Sequence, residues 1–157
     1  MIKGNFFIAF KHYQHEKNNL QNQLMKALLR SEFIHCELVF SDGKVGSSNQ
    51  FTGVNIFPED QNRNPFYWEF YEIPWYYEAE TRKYVARKVG KPYNWGGVLG
   101  SMLYPMGLSQ DGFCCADLCY VALCKSGVPL ASHDPESVSP NDLRLMIQKL
   151  YPRIYDV

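Results

Sequence analysis

Two hydrophobic periods alternate along this chain, and the places where one gives way to the other mark its elements. Residues 5–10, Asn5 to Phe10, form an almost unbroken apolar run of strand length. The polar stretch Lys11–Asn19 reads as a loop, after which Leu20, Leu24, Ala27 and Leu28 recur at helical spacing and predict a helix over 18–30. Phe33–Phe40 is a second strand, and Ser41-Asp42-Gly43-Lys44 is a hairpin turn signal that sends another strand back from Lys44 to about Phe51 or beyond. Residues 59–65 are a polar loop. Phe66–Ile73 is a further strand, rich in aromatics and closed by Pro74.

The second half of the chain is mostly helical. Glu78–Val89 predicts a helix stopped by Gly90, Lys91–Gly97 a turn, and Val98–Tyr104 a short helix before Pro105. From Ala116 onward Leu118, Val121, Ala122 and Leu123 fall on one helical pattern that Gly127 ends. Pro129–Pro140 is a loop. Ser139 as N-cap and Pro140 at the first position then open a last helix, to about Leu150, and 154–157 adds an edge strand. There is no repeat, low-complexity tract or linker, so the reading is a single domain over 1–157.

Composition narrows the function classes. Apolar residues make up 46% and aromatics 15%, enough for a packed core, so the aromatics of 66–73 are read as core rather than as a ligand platform. Lys+Arg and Asp+Glu both number 16, with no basic run, which disfavours nucleic acid as a partner. The apolar run Phe6–Phe10 is too short for a secretory leader or a membrane span, so no integral membrane segment is expected. Five cysteines, an odd number spaced unlike a secreted disulfide framework, point to reduced thiols in a cytoplasm. Among Cys114, Cys115, Cys119 and Cys124 there is no C-x-x-C pair and no nearby histidine, so a zinc site is set aside and no cofactor is called for.

The candidate chemistry lies at Gly112–Gly127. A cysteine at the mouth of a helix sits among free N–H groups and the positive end of the dipole, where a thiolate is most easily held. Cys119 and Cys124 read as core residues, which leaves Cys114 and Cys115 as candidate nucleophiles. Cysteine chemistry also needs an imidazole and, commonly, a group to orient it. His12, His15 and His133 lie in polar segments and read as solvated, whereas His35 lies inside an apolar strand. Glu37, two residues on, projects to the same side as His35, while Ile34, Cys36 and Leu38 project to the other. On the strand alone this face reads as solvated. With a tight turn at 42–43, Ser48 or Gln50 would approach His35 from the partner strand and orient it in place of Glu37.

Two further stretches bear on that choice. Gly90-Lys91-Pro92-Tyr93-Asn94-Trp95-Gly96-Gly97, followed by Phe113-Cys114-Cys115-Ala116-Asp117-Leu118, resembles the signature of NlpC-like papain-fold cysteine peptidases. The order, with His35-x-Glu37 ahead of the cysteine helix, resembles the circularly permuted, YiiX-like branch, and Ser139-Pro140-Asn141-Asp142-Leu143 is similar to an element that follows the cysteine helix there. The resemblance runs from about Phe33 to Leu143. It implies an α+β, papain-like fold whose central antiparallel sheet packs against the cysteine helix, with the His35–Glu37 face covered by that helix. It implies Cys115 as nucleophile, His35 as base and Glu37 as the orienting carboxylate, with Tyr93, Asn94 and Trp95 lining the cleft; Ala116 and Asp117 depart from the usual residues. The activity implied is hydrolysis of a small peptide, amide or isopeptide substrate through a thioacyl intermediate. Two alternatives stay open: acyl transfer of the kind carried out by lecithin:retinol acyltransferase-like relatives on an acyl substrate, and a non-catalytic binding protein.

Overall fold

The computed structural model describes residues 4–13, 31–58, 66–94 and 112–154. Six strands, β1 (Phe6–His12), β2 (Phe33–Val39), β3 (Val45–Asn49), β4 (Gly53–Phe57), β5 (Trp68–Ile73) and β6 (Arg153–Ile154), form one sheet in the order β4-β3-β2-β1-β5-β6. Every neighbouring pair is antiparallel. The helices are α1 (Glu78–Lys88), α2 (Cys115–Ser126) and α3 (Pro140–Leu150). The architecture is therefore α+β, a six-stranded antiparallel sheet packed against three helices.

The unbroken apolar run of β1 explains its central place, because both of its faces are buried. Phe6, Ile8 and Phe10 join Cys36, Leu38, Tyr71 and Ile73 under the helices, in a core that includes Val85 of α1, Leu118 and Leu123 of α2, and Leu143 and Ile147 of α3. Phe7 and Ala9 point the other way, into a smaller cluster with Val39, Trp68 and Phe70. Ile8 faces Leu38 on one side and Tyr71 on the other, so β2 and β5 are both registered on β1.

α2 lies innermost of the helices, and eight of its residues, Cys115 to Tyr120 with Ala122 and Leu123, are buried. Burying each large apolar side chain contributes about 1.5–3 kcal/mol, so α2 is the main clamp of the helical layer. It ends where the sequence places its stop: Gly127 has φ +97 and donates its N–H to the Cys124 carbonyl. α3 opens with a capping box between Ser139 and Asp142, with Pro140 in the first turn, as its sequence predicts.

Three sequence readings change. The strand over Asn5–Phe10 continues to His12, so Lys11 and His12 belong to β1 and not to a loop. The stretch expected as one returning strand is two, β3 and β4, because the Asn49 side-chain oxygen accepts the N–H groups of Phe51 and Thr52 and folds the chain back at 50–52. The β2–β3 turn is also wider than a two-residue hairpin: Phe40 N–H donates to Lys44 and Gly43 N–H to Phe40. Leu38 consequently pairs with Gly46, one residue out of the register a tight 42–43 turn would set. The expected helices over 18–30 and 98–104, the loop at 59–65 and residues 155–157 of the last strand lie outside the described residues.

Candidate active site

The start of α2 is fixed from three directions at one residue. Phe113 N–H donates to the Pro92 carbonyl (3.1 Å), and the Phe113 carbonyl accepts from Asn94 N–H (3.2 Å) and from Ser48 Oγ (2.6 Å). This small parallel bridge between Tyr93 and Phe113 requires glycine just before it, since a Cβ on Gly112 would stand 2.3 Å from the Pro92 oxygen. Cys114 then takes the N-cap position with extended backbone, and Cys115 is the first helical residue. The Gly90–Asn94 turn, β3 and the helix start are thereby locked together. Tyr93 is buried beside Cys114 and Cys115, Asn94 is also buried, and Trp95 lies outside the described residues.

His35 and Glu37 do share one side of β2, but the helical layer covers the other. Cys36 and Leu38 face α2, whereas Glu37 stands opposite Ala9 and the His35 ring meets Trp68 edge to face at 6.3 Å, on the side of the smaller cluster. The expectation that the cysteine helix covers the His35–Glu37 face is therefore corrected. Cys115 nevertheless lies near enough to His35 for each to shift the other's titration. The reason lies in the sheet. The β2–β3 ladder pairs only Leu38 with Gly46 and Val39 with Val45, so beyond Leu38 the strands no longer close on each other. Cys115 sits at this opening, and its sulfur accepts the backbone N–H of Cys36, a group that a continued ladder would have taken.

Two groups hold the His35 ring. Its Nε2 lies 3.1 Å from Ser47 Oγ and 3.8 Å from a Glu37 carboxylate oxygen. Glu37 is buried, while the His35 side chain is 25% exposed. Ser47 is the partner-strand residue that the tight-turn register misplaces. Ser48, expected beside His35, instead anchors Phe113, and Gln50 lies beyond the end of β3. Only the width of the turn could have signalled this, because one residue of slip exchanges Ser47 for Ser48 on a given face.

The electrostatics separate the two candidate cysteines. Cys115 is pushed well below the ordinary thiol value, first by the Cys36 thiol that hydrogen-bonds its sulfur and then by the charge and hydrogen bond of His35, which together outweigh its burial. Burial disfavours the charged His35 imidazole, yet the Cys115 sulfur and then Glu37 raise it overall, against an opposing effect of Lys11. Cys114, by contrast, is pushed up by burial and by the negative charges of Asp117 and Cys115. The arrangement favours a Cys115 thiolate facing a His35 imidazolium, with Cys114 remaining a thiol. The sequence pattern places Cys36 only on the face of the strand opposite His35 and carries no signal for a part in this site.

Asp117, in the first turn of α2, is raised to about 7 by burial above all, although the backbone N–H of Cys114 supports its charge. One of its oxygens is buried without a hydrogen-bond partner among the described residues. Of the other histidines, His12 pairs with Glu32 at 2.8 Å, His133 is exposed, and His15 lies outside the described residues. Among the described residues no group of three or more His, Cys, Asp or Glu side chains is arranged to hold a metal ion, and no helix is long and apolar enough to cross a membrane. No protein-family model matches the chain, and no curated protein matches it significantly.

Proposed function

We propose that the protein is a cysteine hydrolase that cleaves an amide or peptide bond, built on a permuted papain-like fold. One arrangement carries the reading: Cys115 opens a buried helix beside His35, whose ring is met by Ser47 and Glu37, and the charge of each of the pair favours the charged form of the other. The chain order supports the fold assignment, since the strand bearing His35 and Glu37 precedes the helix bearing Cys115, and that helix packs on the central sheet.

In this mechanism the Cys115 thiolate attacks the substrate carbonyl carbon. The developing oxyanion is taken in part by the backbone N–H of Cys115 at the helix start, a position where one such donor is worth a few kcal/mol of barrier. His35 passes its proton to the leaving amine, and the thioacyl enzyme forms. His35, now neutral, takes a proton from water as that water attacks the thioester, releasing the acid and restoring the ion pair. Glu37 and Ser47 orient the ring, and the Glu37 carboxylate favours its charged form.

The test is mass spectrometry of the protein incubated with short peptide amides or with short-chain ester lipids. An acyl mass carried on Cys115 from the amides, lost on Cys115→Ala replacement, supports the hydrolase. Acylation by the lipids alone would instead make the protein an acyltransferase, and no adduct from either would leave a binding protein.

A further inference from the structure

A cavity of about 140 Å³ at one end of the sheet has no part in the mechanism above. It lies where β1 stops and β2 and β5 begin. Phe33, Phe66 and Trp68 give it aromatic walls, and His12, Glu69 and Arg153 give it a polar lining. Trp68 belongs to this cavity and to the candidate active site at once, because its ring meets the His35 ring edge to face at 6.3 Å. Phe33 precedes His35 on β2 by two residues, which is about 7 Å of strand. An extended peptide advances about 3.3–3.6 Å per residue, so a side chain seated here belongs to a residue close to the bond at Cys115. The volume suits one side chain, since about 150 Å³ holds a single benzene-sized group.

The polar lining decides the class of that side chain. The Glu69 carboxylate is already taken: Arg144 Nε and the Tyr71 hydroxyl donate to one oxygen, and Arg153 donates to the other at 2.7 Å. His12 is engaged at 2.8 Å by Glu32, whose carboxylate is more than half exposed and stands outside the lining. Two guanidiniums thus answer one carboxylate, and about a third of the Arg153 side chain stays exposed. A guanidinium matches a carboxylate in planar, paired geometry, whereas a cationic side chain would meet like charge. The walls are also fixed in advance. Arg144 of α3 lies 4.5 Å over the Phe33 ring while it bonds Glu69, and the β5–β6 ladder pairs Arg153 with Tyr71. A site held in this way spends little on ordering itself around a ligand.

We propose that this cavity receives the carboxylate-bearing side chain of a substrate residue near the scissile bond, with Arg153 as the specificity-determining group. Its place relative to that bond rests on the hydrolase reading of Cys115; its preference for an acid rests on the cavity itself.

The experiment is isothermal titration of the full chain with a capped glutamate dipeptide amide and with its glutamine isostere. The glutamate peptide is expected to bind at least about tenfold more tightly, the scale of a hydrogen bond to a charged group. Arg153→Gln should bring the ratio close to one, and where the peptides are cleaved the difference should fall on KM and not on kcat. Phenylglyoxal labelling mapped by mass tests the same contact without a variant. The glutamate peptide should slow modification of Arg153 at least about tenfold, and the glutamine peptide should not. Equal binding of the two peptides, or a glutamate preference that survives in folded Arg153→Gln, would overturn the proposal. So would a lowered melting temperature in Arg153→Gln with no preference in the wild type, the mark of ion pairs that only fasten β6 to the sheet. Acid-selective binding and protection of Arg153 without cleavage would keep the pocket and remove the hydrolase. Cleavage without acid preference would keep the hydrolase and remove the pocket.

Discussion

Ser47 Oγ and His35 Nε2 stand 3.1 Å apart on two strands whose backbone ladder has already ended, so a side-chain contact continues where the sheet does not. Glu37 shares the same ring nitrogen at 3.8 Å and supplies the charge that the serine lacks. The two orienting groups are therefore separable. Ser47→Ala is expected to lower turnover by about fivefold, the scale of one net hydrogen bond. Glu37→Gln is expected to lower it by at least about tenfold, because an orienting carboxylate in a triad accounts for up to ~10⁴. Steady-state kinetics on the amide substrate, with a thermal melt of each variant, decide between the assignments. A larger rate loss in Ser47→Ala would make the serine the principal orienting group.

The lowered thiol and the raised imidazole set the pH dependence of alkylation. Cys115 is lowered from an ordinary 9.0 and His35 raised from 6.5, and both shifts favour the thiolate–imidazolium pair. A depressed thiol stabilises the fold above its unfolded value and loses that contribution as pH falls through the folded one; a raised imidazole stabilises below its unfolded value and loses it as pH rises. Iodoacetamide should thus react with Cys115 at pH values where an ordinary thiol is protonated. His35→Ala should move the inflection of the rate–pH curve upward, toward ordinary thiols. An unmoved inflection would remove His35 as the partner.

Asp117 gives a stability signature of the same sense as the raised imidazole and opposite to that of the thiol. Its folded value, about 7, lies above the ordinary 3.8, so the folded state binds the extra proton and the group costs stability as pH rises between those values. At 1.36 kcal/mol per unit the cost above neutrality is at most about 4 kcal/mol. Asp117→Asn is expected to raise the melting temperature at pH 8 and to change it little at pH 4, because the amide oxygen can still accept the Cys114 N–H. Equal shifts at both pH values would remove the titration argument.

The helix start offers a structural control. Gly112→Ala places a methyl against the Pro92 carbonyl oxygen and should cost about 1–3 kcal/mol or more, as overpacking against fixed backbone does. Ser48→Ala leaves the Phe113 carbonyl with the Asn94 N–H and should cost only about 1 kcal/mol. Both variants should slow Cys115 alkylation, Gly112→Ala more, because both loosen the peptide that aims the sulfur. Alkylation at the wild-type rate in a folded Gly112→Ala protein would show that the bridge does not position the site.

By itself the sequence determined the elements whose signals are local. The two-faced apolar run of β1, the capping residues of α3, the Gly127 stop and the alternation that sets His35 and Glu37 together on one side of β2 all follow from spacing and side-chain chemistry. The tertiary structure alone decided which face of β2 the helices cover and which serine meets His35. Those outcomes depend on the width of one turn and on where two strands part. Each is a balance of packing and backbone hydrogen bonds summed over distant segments, and a shift of one residue reverses it without altering any local pattern.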